Sequence, residues 1–505
     1  MNTIKIFAEQ PVGQINKNIY GHFAEHLGAC IYEGIWVGED SPIPNTNGIR
    51  NDVVAALKRI APPVIRWPGG CFADDYHWRD GVGPRDDRPQ RINIWWGEAI
   101  ETNHFGTHEF IDLCRMVGAA PYLVGNVGSG SPDEMRDWVE YCNFPGDSSL
   151  TRQRARNGAS APFNVSYWGV GNENWGCGGN FDAEDYAAEY RRFVTYLRDF
   201  GEAPLYLIGC GPRNNDIDWT LRFFEKFKRS LRTRMHAFAA HYYARARGPQ
   251  DDVSYSTLTG TATDYSEAQW YYQILAGLAM ERLVVQQRAA MDSFDPDRQI
   301  GLIVDEWGTW HPPAEGHHPR HLWQQNTMRD ALVAATTLDI FNRHADKVVM
   351  ANIAQTINVL QAMILTDGDK MLTTPTYHVY DMYQAHQDGL SLQTQVEADD
   401  ISFEVNGGSY SVPALSGSAS LKGTTLTLSV VNSHANSPVE ASINLVGAQV
   451  KAASLNVLSS DDIHAHNTFD EADLVKPQSQ PLEAQSGGWT HVFPPASVSV
   501  FTISL

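Results

Sequence analysis

The chain has 505 residues, 43% hydrophobic, 11% aromatic and 19% charged. At about 150 residues per domain, that is room for roughly three domains, or for one large barrel with an appendage, and it excludes a disordered or fibrous chain. Lys and Arg number 38 against 59 Asp and Glu, a net charge of −21 that would repel phosphate backbones and anionic lipid heads, so nucleic acid and membranes are excluded as partners.

Thr3 to Phe7 alternates apolar and polar residues and predicts a strand, with Lys5 standing where an export signal would need its apolar stretch. No uncharged apolar run reaches the ~18 residues of a membrane span. The six cysteines, Cys30, Cys71, Cys114, Cys142, Cys177 and Cys210, are scattered without a CxxC pair. They read as reduced thiols of a cytoplasmic protein.

Short apolar runs then alternate with longer helical patterns. The predicted strands are Ile19–His22, Val64–Trp67, Pro121–Gly125, Val165–Gly171, Leu205–Gly209, His236–His241, Gly301–Asp305 and Val348–Ile353. The predicted helices are Ile49–Ile60, His108–Val117, Pro132–Cys142, Glu184–Phe200, Trp219–Leu231, Glu267–Ala290, Thr327–His344 and Thr376–His386. Ser131-Pro132-Asp133-Glu134 supplies an N-cap, a proline in the first turn and acids at the positive end of the helix dipole. Strand and helix eight times over predict an α/β fold, a (β/α)8 TIM barrel.

Composition changes late in the chain: arginine stops at Arg343, and after Trp323 the one tryptophan is Trp489. Alternating runs such as Thr425–Val431 and Ser497–Ile503, set between Gly, Asn, Ser and Pro clusters, predict a C-terminal antiparallel β-sandwich of jelly-roll type. The expected division is a catalytic barrel over 14–388 and a sandwich built from 1–13 plus 389–505, with the opening strand joining the sandwich.

Each barrel strand ends in unusual polar or aromatic residues, and in this fold those ends form one rim where the active site is built. The fourth strand runs Gly169-Val170-Gly171-Asn172-Glu173-Asn174-Trp175, and the seventh runs Leu302-Ile303-Val304-Asp305-Glu306-Trp307. Two glutamates at these ends face each other across the barrel mouth. Retaining glycoside hydrolysis needs such a pair, one carboxyl to protonate the leaving oxygen and one to attack the anomeric carbon, about 5–5.5 Å apart. The negative charge of the attacking group favours the protonated form of its partner, and that charge disappears once the glycosyl ester forms. A single such glutamate could merely cap a strand or pair with an arginine.

The segments 15–28 (INKNIYGHFAEHLG), 66–85 (RWPGGCFADDYHWRDGVGPR), 167–179 (YWGVGNENWGCGG), 304–310 (VDEWGTW) and 350–364 (MANIAQTINVLQAMI) resemble glycoside hydrolase family 51, whose typical members are α-L-arabinofuranosidases. The resemblance covers about 15–385 and continues loosely beyond. It implies Glu173 as acid/base and Glu306 as nucleophile, in agreement with the strand-end argument. It also implies a sugar-binding ring of Glu25, Arg66, Cys71, Asn172, Tyr243 and Gln355, with Trp310 and Trp96 (or its neighbour Trp95) as stacking faces. Cys71 departs from the asparagine of many members, and a thiol is a weaker hydrogen-bond donor than an amide. The resemblance implies no metal and no cofactor, an arabinofuranosyl-containing oligosaccharide as substrate, and a homo-oligomer, often a hexamer. On the same scaffold a β-xylosidase or endo-glucanase is the nearest alternative.

Other signals point elsewhere. His22-Phe23-Ala24-Glu25-His26 fits the H-x-x-E-H pattern of some zinc peptidases, which needs a long helix. The glycine-rich Gly125–Gly130 segment lacks a following Lys-Ser/Thr pair and is no P-loop. Tryptophans beside a sandwich would also suit a non-catalytic carbohydrate binder, which has no need of both glutamates.

Overall fold

The computed structural model describes residues 2–228, 233–245, 258–482 and 488–505. It divides into two compact units, residues 21–242 with 285–306, and residues 1–20, 243–284 and 307–505. The strands β2 (Gly21–Phe23), β3 (Val64–Trp67), β4 (Ala120–Gly125), β5 (Tyr167–Val170), β6 (Tyr206–Arg213), β7 (Ala237–Ala244), β8 (Gly301–Thr309) and β9 (Val348–Ala354) close into a barrel in chain order. Register in the first unit is parallel, with Phe23 opposite Arg66, Arg66 opposite Tyr122 and Tyr122 opposite Tyr167. These strands are almost wholly buried, as expected of a parallel sheet covered on its outer face by helices.

The helices follow their local signals. In α3 (Pro132–Asn143) the Ser131 hydroxyl accepts from the Glu134 N–H and proline occupies the first turn. Helix α2 (Thr107–Val117) ends on Gly118 at φ 85°, the left-handed position that glycine adopts without strain. Some predicted boundaries move. The first strand begins later than expected, because Lys17–Tyr20 forms a 3-10 turn ahead of Gly21. The helix expected over 184–200 stops at Val194. The helix expected over 219–231 runs Ile217–Phe227, and residues 229–231 lie outside the described residues. A short helix, Ser149–Arg156, has no counterpart among the predicted ones. It carries no apolar stripe, and its Arg154 is buried, donating to the carbonyls of Tyr141, Phe144 and Ala159. No helix among the described residues is long and apolar enough to cross a membrane.

In the second unit, nine strands form one sheet. Its members are β1 (Asn2–Gln14), β10 (Leu390–Glu397), β11 (Leu415–Lys422), β12 (Thr425–Asn432), β13 (Val439–Val446), β14 (Ala452–Ser459), β15 (Gln478–Leu482), β16 (Trp489–Phe493) and β17 (Ser497–Ser504). Their order is β15-β14-β17-β12-β11-β10-β1-β13-β16. The opening strand lies inside this sheet, antiparallel to β10 and parallel to β13. Ile4 and Ile6 of β1 share a core with Leu455 and Val457 of β14 and with Trp489 and Phe493 of β16. Strands near opposite ends of the sheet thus face one core, which makes it a sandwich.

Candidate active site

The unit formed by residues 21–242 and 285–306 gathers most of the candidate residues. Arg66, on β3 and fully buried, donates from Nη1 to Glu306 Oε1 at 3.0 Å and from Nη2 to Asn172 Oδ1, and its Nε lies 3.1 Å from Asp305 Oδ2. Burial disfavours its charge, but Asp305, Glu306, Tyr122 and Glu25 outweigh that and push its pKa up, so the guanidinium stays charged. The Tyr122 hydroxyl donates to the same Asp305 oxygen at 2.7 Å.

The loop after β3 supplies the next layer. Gly69 has φ 147°, and a Cβ there would stand 2.3 Å from Glu25 Cγ. At Gly70 a Cβ would meet Glu306 Oε1 at 3.0 Å and Glu25 Oε2 at 3.3 Å, so only glycine lets this backbone pass the carboxylates. Glu25 Oε1 accepts from the Phe72 N–H at 3.1 Å and from Trp96 Nε1 at 2.8 Å. Burial, and then the charge of Glu306, push the Glu25 carboxyl up to about 7. Of the two neighbouring tryptophans, Trp96 is the one bonded to Glu25.

After β5, Gly171 (φ 85°) and Glu173 itself (φ 43°) turn the chain. The Glu173 carbonyl closes the turn by accepting from Gly176 N at 2.7 Å and Gly178 N at 3.1 Å. Asp74 underpins this loop. Its carboxylate accepts from the backbone N–H groups of Asn172 (2.6 Å), Val127 (2.6 Å) and Gly128 (2.9 Å) and from Asn174 Nδ2 (3.3 Å). Burial nonetheless pushes its pKa up to about 7.

Two participants escape a reading by local pattern. His241, on β7, places Nδ1 3.0 Å from Glu173 Oε1 and 3.5 Å from Glu306 Oε2. One oxygen from each glutamate and one nitrogen of the imidazole lie within 4.8 Å of one another. Burial opposes a charge on His241, but Glu306 and then Glu173 outweigh it and raise its pKa. Its place at a strand end was the available signal. Asp74 offered none, since it lies within a 3-10 turn beyond the strand that carries Arg66.

The expectation of six reduced thiols is wrong. Cys71 and Cys177 are joined by a disulfide across 106 residues, while Cys30, Cys114, Cys142 and Cys210 are buried and in no disulfide. The short-spacing test fails here because the loops after β3 and β5 meet only in the fold. The two sulfurs lie 3.9 Å and 3.6 Å from Glu173 Oε2. A disulfide carries no hydrogen, so these are contacts and not hydrogen bonds, and the Cys71 side chain cannot donate to a ligand.

The remaining candidates belong to the other unit. Tyr243 and Trp310 pack edge to face with ring centres 4.9 Å apart, and the Arg245 guanidinium lies 5.1 Å over the Trp310 ring. Gln355 is buried just after β9, its N–H donating to the Val359 carbonyl at 3.1 Å. The H-x-x-E-H segment is no helix: Gly21–Phe23 is a strand, and His26 is held between Glu101 (2.7 Å, Nδ1) and Trp67, whose Nε1 donates to Nε2 at 3.0 Å.

Comparison with known proteins places this arrangement. Residues 56–268 match the family model of an α-L-arabinofuranosidase 1 domain, and residues 305–497 match that of the α-L-arabinofuranosidase C-terminal domain. The chain is 43% identical over 476 residues to an intracellular exo-α-L-arabinofuranosidase of Bacteroides ovatus, covering 94% of this chain and 90% of that protein. Among solved structures it resembles the GH51 arabinofuranosidase of Xanthomonas axonopodis pv. citri, at 41% identity and a TM-score of 0.94 over the full length of both chains. It also resembles the α-L-arabinofuranosidase of Thermotoga maritima solved as an arabinose complex, at 30% identity and a TM-score of 0.86, again over both whole chains.

Proposed function

This chain belongs to glycoside hydrolase family 51, the α-L-arabinofuranosidases, and we propose that it removes terminal non-reducing α-L-arabinofuranosyl groups from arabinoxylan- or arabinan-derived oligosaccharides with retention of configuration. The observation that carries the mechanism is the pair of carboxylates, with oxygens from Glu173 and Glu306 inside a 4.8 Å group. That closeness fits direct attack on the sugar and leaves too little room for the water that an inverting enzyme places between its carboxyls.

In this reading Glu306 is the nucleophile. Arg66 holds Oε1 and leaves Oε2 to form the bond to the anomeric carbon. Glu173 is the general acid, passing its proton to the leaving oxygen. It then takes a proton from the water that cleaves the glycosyl ester. His241, in contact with both, holds them in register. Glu25 and Asn172 bind the sugar hydroxyls, Trp96 holds Glu25 and offers its ring face, and the Cys71–Cys177 disulfide offers an apolar face, while Tyr243, Trp310 and Gln355 are the sugar-binding candidates of the other unit. Residues 14–388 form the catalytic barrel and 1–13 plus 389–505 the sandwich. The protein works inside the cell as a homo-oligomer. The relative named intracellular supports the first of these, and the family resemblance the second.

Glu306→Ala and Glu173→Ala, assayed on aryl arabinofuranosides, test the roles. Glu306→Ala loses nearly all turnover. Glu173→Ala loses about 10²–10⁴-fold on a poor leaving group and far less on an activated one that needs no proton. Full activity in either variant, or an inverted first-formed anomer by NMR, sinks the mechanism. A panel of aryl glycosides tests the sugar, and faster turnover of a xyloside or glucoside would overturn it.

A further inference from the structure

The pair of cysteines beside the acid/base takes part in no chemical step of the hydrolysis just described, and its surroundings suit another chemistry. Both sulfurs belong to partly exposed residues and lie 3.6 Å and 3.9 Å from the same carboxylate oxygen, Glu173 Oε2. In a tetrahedral zinc site, with Zn–S about 2.3 Å and Zn–O about 2.0 Å, ligand sulfur and oxygen stand about 3.5 Å apart and two sulfurs about 3.8 Å apart. The two sulfur–oxygen edges therefore already have nearly the length such a site requires. The α-carbons of Cys71 and Cys177 are 5.4 Å apart, so modest side-chain rotation separates the sulfurs to the third edge once they are no longer bonded.

We propose that the Cys71–Cys177 disulfide masks a metal site, and that in the dithiol form Cys71, Cys177 and Glu173 bind a zinc-like divalent cation that silences the enzyme. A dithiol reductant passes two electrons and two protons to the disulfide and leaves as its own disulfide. Zinc then takes both sulfurs as thiolates and Glu173 Oε2 as a carboxylate ligand, releasing the two thiol protons and the proton of the Glu173 carboxyl to solvent, with water in the fourth position. A metal-bound Glu173 can neither give nor take a proton. The loss of activity rests on the acid/base reading of Glu173, whereas the binding does not.

The test uses the full-length protein, either untreated or reduced with dithiothreitol and freed of it under nitrogen. The untreated protein is the control, since its other four cysteines are the same. The reduced protein should show thiolate-to-cadmium absorption saturating at one ion per chain, and zinc should lower its turnover of a poor-leaving-group arabinofuranoside about 10²-fold or more, reversibly with chelator. The untreated protein and reduced Cys177→Ser should show neither the cadmium signal nor the zinc response. Glu173→Gln should keep the thiolate signal but bind cadmium about tenfold or more weakly. No thiolate signal in the reduced protein overturns the site and leaves the role of Glu173 untouched. A signal that Glu173→Gln does not weaken overturns the carboxylate ligand. A signal weakened by Glu173→Gln, with hydrolysis undiminished by zinc, overturns the inhibition together with the acid/base role.

Discussion

Arg66→Lys separates charge from geometry at the centre of the site. The guanidinium serves Glu306, Asp305 and Asn172 from three different nitrogens, and all four residues are buried. A lysine ammonium keeps the charge but presents one nitrogen, so it can replace one of the three contacts and abandons two. Hydrogen bonds to charged groups contribute about 1.5–3 kcal/mol each, and breaking a buried pair costs about 3–5 kcal/mol, so a loss of roughly 3 kcal/mol is expected after the retained charge is allowed for. An unfolding entropy of about 2.1 cal/mol/K per residue converts this to a fall in Tm of about 3 °C if the whole chain melts together, and about 6 °C if the unit carrying Arg66 melts alone. Because the attacking carboxylate is displaced, kcat/KM on an aryl arabinofuranoside should fall about 10²-fold. Calorimetry and steady-state kinetics on the same preparation check both. An Arg66→Lys variant that melts within about a degree of wild type and keeps its turnover refutes the argument that three simultaneous contacts position Glu306.

Glu25 and Asp339 are buried carboxyls pushed up to about 7. The native state holds protons that the unfolded chain has released, so their contribution falls as pH rises from the ordinary carboxyl range through 7. Glu25→Gln and Asp339→Asn should each flatten that decline, by up to about 3–4 kcal/mol; a Tm–pH profile unchanged in both variants contradicts the burial argument. Deleting residues 1–10 removes the strand between β10 and β13 and uncovers the sandwich core at Ile4 and Ile6, so the chain should lose solubility and melt earlier. A truncated chain as soluble and stable as the full one counts against this.

The strands of the barrel and the helix cap at Ser131 were readable in the sequence because both rest on local patterns, an apolar run or a hydroxyl three residues ahead of the N–H it accepts from. The same holds for the carboxylates of Glu173 and Glu306, each announced by an apolar strand that ends in an acid. What the tertiary structure alone decided are the relations between such ends. His241 meets both glutamates, and Asp74 fastens the loop that carries Glu173, from a turn with no distinguishing pattern of its own. Cys71 reaches Cys177 across 106 residues, against the inference drawn from their spacing. Periodicity records which face of an element is buried. Closing a barrel brings together strand ends far apart in the chain, and their distances are set by register and side-chain packing that no local window contains.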